Sequence, residues 1–214
     1  MKRRILCYGD SNTWGFNAMN EQVYGERFPE DVRWTGRLQM LLGTEFTIIE
    51  EGLNGRTTVF SDPLRDGLNG LQYLIPCLAT HKPLDYMILM LGTNDCKERF
   101  SALPKNIADG MQRLVDTAMK ADVWREKPNI LIVAPPPIEK GSDTAFIGRD
   151  MGICSKKSEM LAAEYALWAA EDGCDFLDAA LYTKMNQYDF MHMDIESHRR
   201  LAEKFAEIVK KKWK

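Results

Sequence analysis

Four short runs of nearly continuous apolar residues recur along the chain, at Arg4 to Tyr8, Phe46 to Glu51, Tyr86 to Leu91 and Asn129 to Ala134. A run that does not alternate with polar residues suits a strand covered on both faces, as in a parallel sheet. Asp175 to Asp178 reads as a fifth. Between these runs the apolar positions take up helical spacing, in Trp34 to Leu42, Ile107 to Lys120 and Ser155 to Ala170, and Glu196 to Lys212 closes the chain in the same way. Strand and helix alternate, which predicts a doubly wound α/β fold with helices on both faces of a parallel sheet. No internal repeat or low-complexity linker divides the 214 residues, so they are read as a single domain. Three irregular stretches, Asn17 to Val32, Arg56 to Asn69 and Pro135 to Gly152, are longer than ordinary connections and read as functional loops.

Composition removes several classes of function. With 45% hydrophobic and 28% charged residues the chain is an ordinary globule, long enough to fold without a metal or disulfide staple. Its 28 Lys and Arg against 31 Asp and Glu give a net charge of −3, interspersed along the chain, so there is no basic face for nucleic acid. The one basic run, Lys210, Lys211, Lys212 and Lys214, ends a helical pattern, where cations suit the negative end of the helix dipole. Five widely spaced cysteines, with no Cys-x-x-Cys pair, read as reduced core thiols. The opening apolar run Ile5 to Tyr8 is too short for a secretory signal, and no stretch approaches the ~20 apolar residues of a membrane span. A cytoplasmic location is expected, with neither a membrane nor a nucleic acid as partner.

The turns after the first three strands are Gly9-Asp10-Ser11-Asn12, Gly52-Leu53-Asn54-Gly55 and Gly92-Thr93-Asn94-Asp95, all polar and glycine-bearing. Open α/β sheets bind ligands beyond the carboxyl ends of their strands, so these turns are expected to converge on one site. The absence of both the Gly-x-x-x-x-Gly-Lys-Ser/Thr loop and a Gly-x-Gly-x-x-Gly turn after the first strand argues against nucleotide binding. A metal site built on Asp189, His192, Asp194 and His198 lacks further ligands at the other strand ends.

A serine nucleophile accounts for more of these residues. Ser11 follows a strand on a tight turn, but a free hydroxyl needs a base. Of the three histidines, His81 reads as a solvated loop residue and His198 as a surface residue of the last helix, which leaves His192. Asp189 stands three residues before it and can accept the Nδ1 proton; Asp178, at the end of the fifth run, is the competing carboxylate. For the oxyanion of an attacked carbonyl, the donors are the N–H of Ser11, the N–H of Gly55, which has no Cβ to hold substrate off, and the side-chain amide of Asn94. Trp14, Phe16, Tyr24, Phe28 and Trp34 follow the nucleophile and could wall an apolar pocket.

Taken in order, these residues resemble the SGNH or GDSL hydrolase family. Gly9-Asp10-Ser11 is similar to its first motif block, Gly55 to the second, Gly92-x-Asn94-Asp95 to the third and Asp189-x-x-His192 to the last. The stretches Arg27 to Gly36, Glu50 to Thr58, Cys77 to Asp85 and Met90 to Asp95 resemble more closely its bacterial arylesterase/acyltransferase branch. The resemblance implies a three-layer α/β/α sandwich on a five-stranded parallel sheet, the flavodoxin-like SGNH hydrolase fold. It also implies hydrolysis of short acyl or aryl esters through an acyl-serine, possible transfer of the acyl group to alcohols, no metal and no cofactor, and a homo-oligomer that narrows each entrance. Asn12, Trp14, Phe16, Asn54, Phe190 and Met191 are the expected pocket residues. The chain departs from the family in carrying Asn12 where the family name has leucine, and from the branch in carrying Asn54 and Gly55 where smaller or methyl-bearing side chains are frequent. Two other readings use the same fold: a carbohydrate or thioester deacylase, and a ligand-binding module without catalysis.

Overall fold

In the computed structural model, which describes residues 1–213, the apolar runs form strands β1 (Arg3–Gly9), β2 (Phe46–Gly52), β3 (Tyr86–Met90), β4 (Ile130–Ala134) and β5 (Asp175–Asp178). Lys214, the last of the basic run, lies outside the described residues. All neighbouring strands are parallel, in the order β2-β1-β3-β4-β5. The chain leaves β1 on one side to make β2 and returns on the other to make β3, so the order reverses at β1. Crevices open at such a reversal. The register sets Gly9 beside both Gly52 and Met90, which brings the three glycine-bearing turns to one edge of the sheet.

Alternation along β1 divides the core. Ile5 and Cys7 face one side with Trp34 and Leu38, while Leu6 and Tyr8 face the other with Leu74 and Met111. On the first side lie α1 (Trp34–Leu42) and the closing helix α5 (Ile195–Lys212); on the second lie α2 (Gly70–His81), α3 (Pro104–Lys120) and α4 (Leu161–Asp172). The result is the expected three-layer α/β/α sandwich. Helix α5 starts where the Asp194 carboxylate accepts the Ser197 N–H at 2.7 Å, and it ends in Lys210, Lys211 and Lys212, each charge matched to its end of the dipole.

Local chemistry accounts for the departures from the expected elements. Ser155 to Ala170 does not run as one helix: a short turn, Ser155–Glu159, precedes α4. The Ser155 hydroxyl donates to Asp143, and the Ser158 hydroxyl accepts the Ile138 N–H while donating to Ser155 O. That turn is pinned to the preceding loop rather than continuing into the helix. Helix α2 carries Pro76 in its interior, which hides it from a reading by propensity. His81 is the last residue of α2 rather than a solvated loop residue, and its Nε2 lies 2.7 Å from Glu51 Oε1. His198 is fully buried rather than on the surface. It shares a helix face with Leu201, Ala202 and Phe205, and its Nδ1 accepts the Trp34 N–H at 3.2 Å. Among the described residues no helix is long and apolar enough to cross a membrane. All five cysteines are free; four are buried and Cys174 is half-buried.

Candidate active site

Ser11 opens a single helical turn, Ser11–Trp14, directly after β1. The Asp10 carboxylate caps it by accepting the Asn12 N–H at 2.9 Å, and Gly15, at φ 89°, ends it. So tight a turn tolerates no side chain at residue 9, where a Cβ would stand 2.0 Å from the Thr13 hydroxyl and 2.8 Å from Met90 O.

The histidine arrives from the other end of the chain, on a loop stapled by Asn186. The Asn186 amide donates to Asp189 Oδ1 at 2.9 Å and to His192 O at 2.8 Å, and its oxygen accepts the N–H groups of Tyr188 and Asp189. Within the loop Phe190 is held at φ 61°, a left-handed conformation uncommon for a bulky residue. With that bend, Asp189 Oδ1 accepts the N–H groups of Met191 and His192 at 3.1 Å each, while Oδ2 lies 2.6 Å from His192 Nδ1. Burial by itself would raise the Asp189 carboxyl. The His192 hydrogen bond and these backbone donors outweigh it and hold the group below its ordinary range, so it is ionised and fixes the proton on Nδ1. His192 Nε2 then lies 2.9 Å from Ser11 Oγ, a contact spanning 181 residues. The ring of Phe16 stacks on the imidazole, with centroids 4.2 Å apart and planes at 17°.

Gly55 has φ 85°, and a Cβ there would stand 3.0 Å from Leu68 Cδ1. Among the described residues, the backbone N–H groups of Ser11 and Gly55 meet no acceptor within the chain. Asn94 uses one amide hydrogen on Arg56 O at 3.2 Å, leaving the second free. Arg56 braces this arrangement from behind: its guanidinium donates to Gly9 O and Glu51 O and lies over the Tyr8 ring, 4.1 Å from its centroid. Asp95, next to Asn94, is buried and accepts from Thr58 N–H and its hydroxyl; burial raises its carboxyl to about 6.

These groups meet at a cavity of about 270 Å³. Of the expected pocket residues, Phe16, Asn54 and Met191 line it, beside Tyr24, Ile147, Met151, Arg65, Lys97 and Asp150. Asn12, Trp14 and Phe190 do not. Asn12 is buried, its oxygen accepting the Met193 N–H at 2.9 Å and its amide donating to Met191 O at 3.3 Å, so it ties the serine turn to the histidine loop. Trp14 packs beside Phe16 with Arg27 over its ring, and Phe190 lies on Gly141, where a Cβ would meet its ring at 2.7 Å. Phe28 and Trp34 are core residues. The charged side of the cavity, Arg65, Lys97 and Asp150, was not read from the sequence, because those residues come from three separate loops.

The other candidates are engaged elsewhere. Asp178 accepts the Ala180 N–H at 2.9 Å, Asp194 caps α5, and His198 holds Trp34. Among the described residues, one set of His, Cys and carboxylate donors comes within 4.8 Å of one another, Glu51, Cys77 and His81. It lies between β2, which carries Glu51, and α2, which carries the other two, away from the cavity lining; burial pushes the Cys77 thiol up to about 12, leaving it protonated.

A serine hydroxyl on an imidazole that is itself held by a carboxylate, at the carboxyl edge of a parallel sheet, defines a serine hydrolase. The model of the GDSL-like lipase/acylhydrolase family matches residues 7–203, and the chain belongs to that family. Its structure superposes on an aryl esterase of M. smegmatis with a TM-score of 0.88 at 38% identity, covering 98% of this chain and 99% of the other. It superposes on a carbohydrate acetylesterase from Sinorhizobium meliloti with a TM-score of 0.91 at 37% identity, over 98% and 99%. A member of the lipolytic G-D-S-L family from Veillonella parvula, 17% identical with a TM-score of 0.67 over 97% and 98%, shares the fold. The comparison with curated proteins gave no match. The chain is a carboxylic ester hydrolase of the serine type.

Proposed function

We propose that the protein cleaves esters of short acyl groups through an acyl-Ser11 intermediate, with hydrolysis as the main outcome. The observation that carries this reading is the relay Ser11 Oγ–His192 Nε2 at 2.9 Å and His192 Nδ1–Asp189 Oδ2 at 2.6 Å, opening on a small cavity. His192 takes the Ser11 proton on Nε2 as the oxygen attacks the ester carbonyl, and Asp189 stabilises the imidazolium that forms. The tetrahedral oxyanion is held by the N–H groups of Ser11 and Gly55 and by the free Asn94 amide hydrogen. Collapse expels the alcohol, which takes the proton from His192. Water then attacks the acyl-serine with the same imidazole as base, and the acid leaves.

Charged groups along one side of the cavity, Arg65, Lys97 and Asp150, make that side hydrophilic, which favours entry of water to compete with any added alcohol for the acyl-enzyme. Acyl transfer is accordingly the minor outcome, read by the product ratio when an alcohol is added. An acetylated carbohydrate is the second reading, favoured by donors (Arg65, Lys97) and an acceptor (Asp150) on the same side of the cavity, and by the 37% identical acetylesterase. We also read the protein as assembling with copies of itself, since Leu64 and Phe146, neighbours of the cavity residues Arg65 and Ile147, stand exposed; light scattering at a monomer mass would remove this. The central test is intact mass after treatment with a serine-directed phosphonate. One adduct located on Ser11 and absent from Ser11→Ala is expected, and an unlabelled protein would overturn the reading.

A further inference from the structure

Lys97 lies three residues beyond the oxyanion donor Asn94, and its N–H is held on Asn94 O at 3.3 Å, so its position is coupled to the catalytic turn. It is 2% exposed and lines the same cavity as Ser11. Its ammonium has two carboxylates near it, Asp150 Oδ2 at 3.6 Å and Asp62 Oδ2 at 3.9 Å, both too far for a hydrogen bond. Those carboxylates are already engaged. Arg99 donates to both Asp62 oxygens at 3.4 Å and to Asp150 Oδ1, Asp62 Oδ1 also accepts the Leu64 N–H, and Arg65 lies 3.7 Å from Asp150 Oδ1. Three cations, Arg65, Lys97 and Arg99, thus face two carboxylates, Asp62 and Asp150, leaving one positive charge over. Among the described residues neither the Lys97 ammonium nor the Arg65 guanidinium has a hydrogen-bond acceptor, whereas Arg99 has several. The Lys97 side chain is buried but lines the cavity, so an acceptor for its ammonium must come from there, and a ligand can supply one.

We propose that Lys97, seconded by Arg65, forms an anion subsite selecting esters that carry a carboxylate on the portion lying against it. The surplus positive charge favours a carboxylate over a neutral polyol, which Asp150 and the two cations would serve equally. An ion pair in this recess is screened less than one in open water, so the discrimination is carried in kcat/KM rather than in encounter alone. The inference rests on the esterase reading above and narrows its substrate class.

The test compares pairs of equal carbon number, in which a carboxylate replaces a methyl group, after subtraction of the uncatalysed rate. For a carboxylate on the acyl side the pair is 4-nitrophenyl hydrogen adipate and 4-nitrophenyl hexanoate; for one on the alcohol side it is 4-acetoxybenzoate and 4-tolyl acetate. In at least one pair the charged-to-neutral ratio of kcat/KM is expected to fall about tenfold or more in Lys97→Met, the size of effect of losing one hydrogen bond to a charged group. Ratios unchanged within twofold in both pairs, or a parallel loss on charged and neutral esters, would show Lys97 to be a structural cation only and overturn the proposal. Should Lys97→Met fail to fold, Arg65→Gln, altered at a half-exposed side chain, must lower the ratio about threefold; an unchanged ratio there overturns the proposal as well. Phosphonate labelling of Ser11 separates the two readings: a labelled enzyme without charge discrimination removes the subsite alone, and an unlabelled one removes the esterase reading.

Discussion

Replacing Asp189 by asparagine should disable the base by imposing the wrong tautomer while leaving the loop intact. In the wild type, Oδ1 accepts three hydrogens, from the Asn186 amide at 2.9 Å and from Met191 N–H and His192 N–H at 3.1 Å, while Oδ2 faces His192 Nδ1. An asparagine oxygen must take the Oδ1 place, because an NH₂ there would face three donors. The amide nitrogen therefore stands where Oδ2 was and needs a lone pair from Nδ1. The imidazole proton is forced onto Nε2, which points at Ser11 Oγ 2.9 Å away and so becomes a donor unable to take the serine proton. The imidazolium also loses its counter-charge. In a Ser-His-Asp relay this combination lowers kcat by roughly 10⁴, or about 5 kcal/mol of transition-state stabilisation at 1.36 kcal/mol per decade. Initial rates on 4-nitrophenyl acetate at neutral pH measure the loss, and a thermal melt checks that the fold is unharmed. A well-folded Asp189→Asn enzyme keeping more than about a tenth of wild-type kcat would refute the reasoning, since Nε2 would then still be acting as base.

Asn94→Ala removes one oxyanion donor and should lower kcat by about 10²–10³ with KM nearly unchanged, measured on the same ester. Asn186→Ala deletes the amide that makes four of the hydrogen bonds holding the histidine loop. It should lower the melting temperature by roughly 5–10 °C as well as kcat, read by calorimetry and initial rates. His198 is buried without charge, and burial, with the nearby Arg37 guanidinium adding to it, lowers its pKa from 6.5 to about 3. The unfolded chain therefore binds this proton and the folded one does not, so the His198 contribution is present above pH 6.5 and lost as pH falls towards 3. Relative to His198→Asn, wild-type stability should decline by about 5 kcal/mol between pH 7.5 and 3, from the gap between those two values at 1.36 kcal/mol per pH unit. Denaturant unfolding at several pH values measures the difference, in which the opposite trend from Asp95 cancels; a difference independent of pH would count against a neutral, buried His198.

What could be read from the sequence, and what could not, follows from the range of the interactions. The strands were legible because both faces of a parallel sheet are covered, so each declares itself within five or six residues. The catalytic turns were legible because their chemistry is compact: glycine for the bend, then one reactive side chain. The burial of His198 does have a local signal, since it falls three residues before Leu201 on the same helical stripe. Asn186 stands three residues before Asp189, and that spacing hints at a side chain bonding back onto the turn. Asn12 is different. Its partners, Met191 O and the Met193 N–H, lie at the opposite end of the chain, and a polar residue whose value lies in so remote a contact carries no local mark. The charged side of the cavity was hidden for the same reason, Arg65, Lys97 and Asp150 being separated by tens of residues.

The 181-residue span between nucleophile and base bears on biosynthesis. Domains are made amino terminus first, at roughly 5–20 residues per second. A growing chain carries Ser11 through 181 further residues of synthesis before the imidazole that would activate it exists. Until then the hydroxyl is chemically idle. Ester cleavage by this protein thus begins only once synthesis has passed His192 and the loop bearing it has docked, and nascent fragments cannot be acylated prematurely.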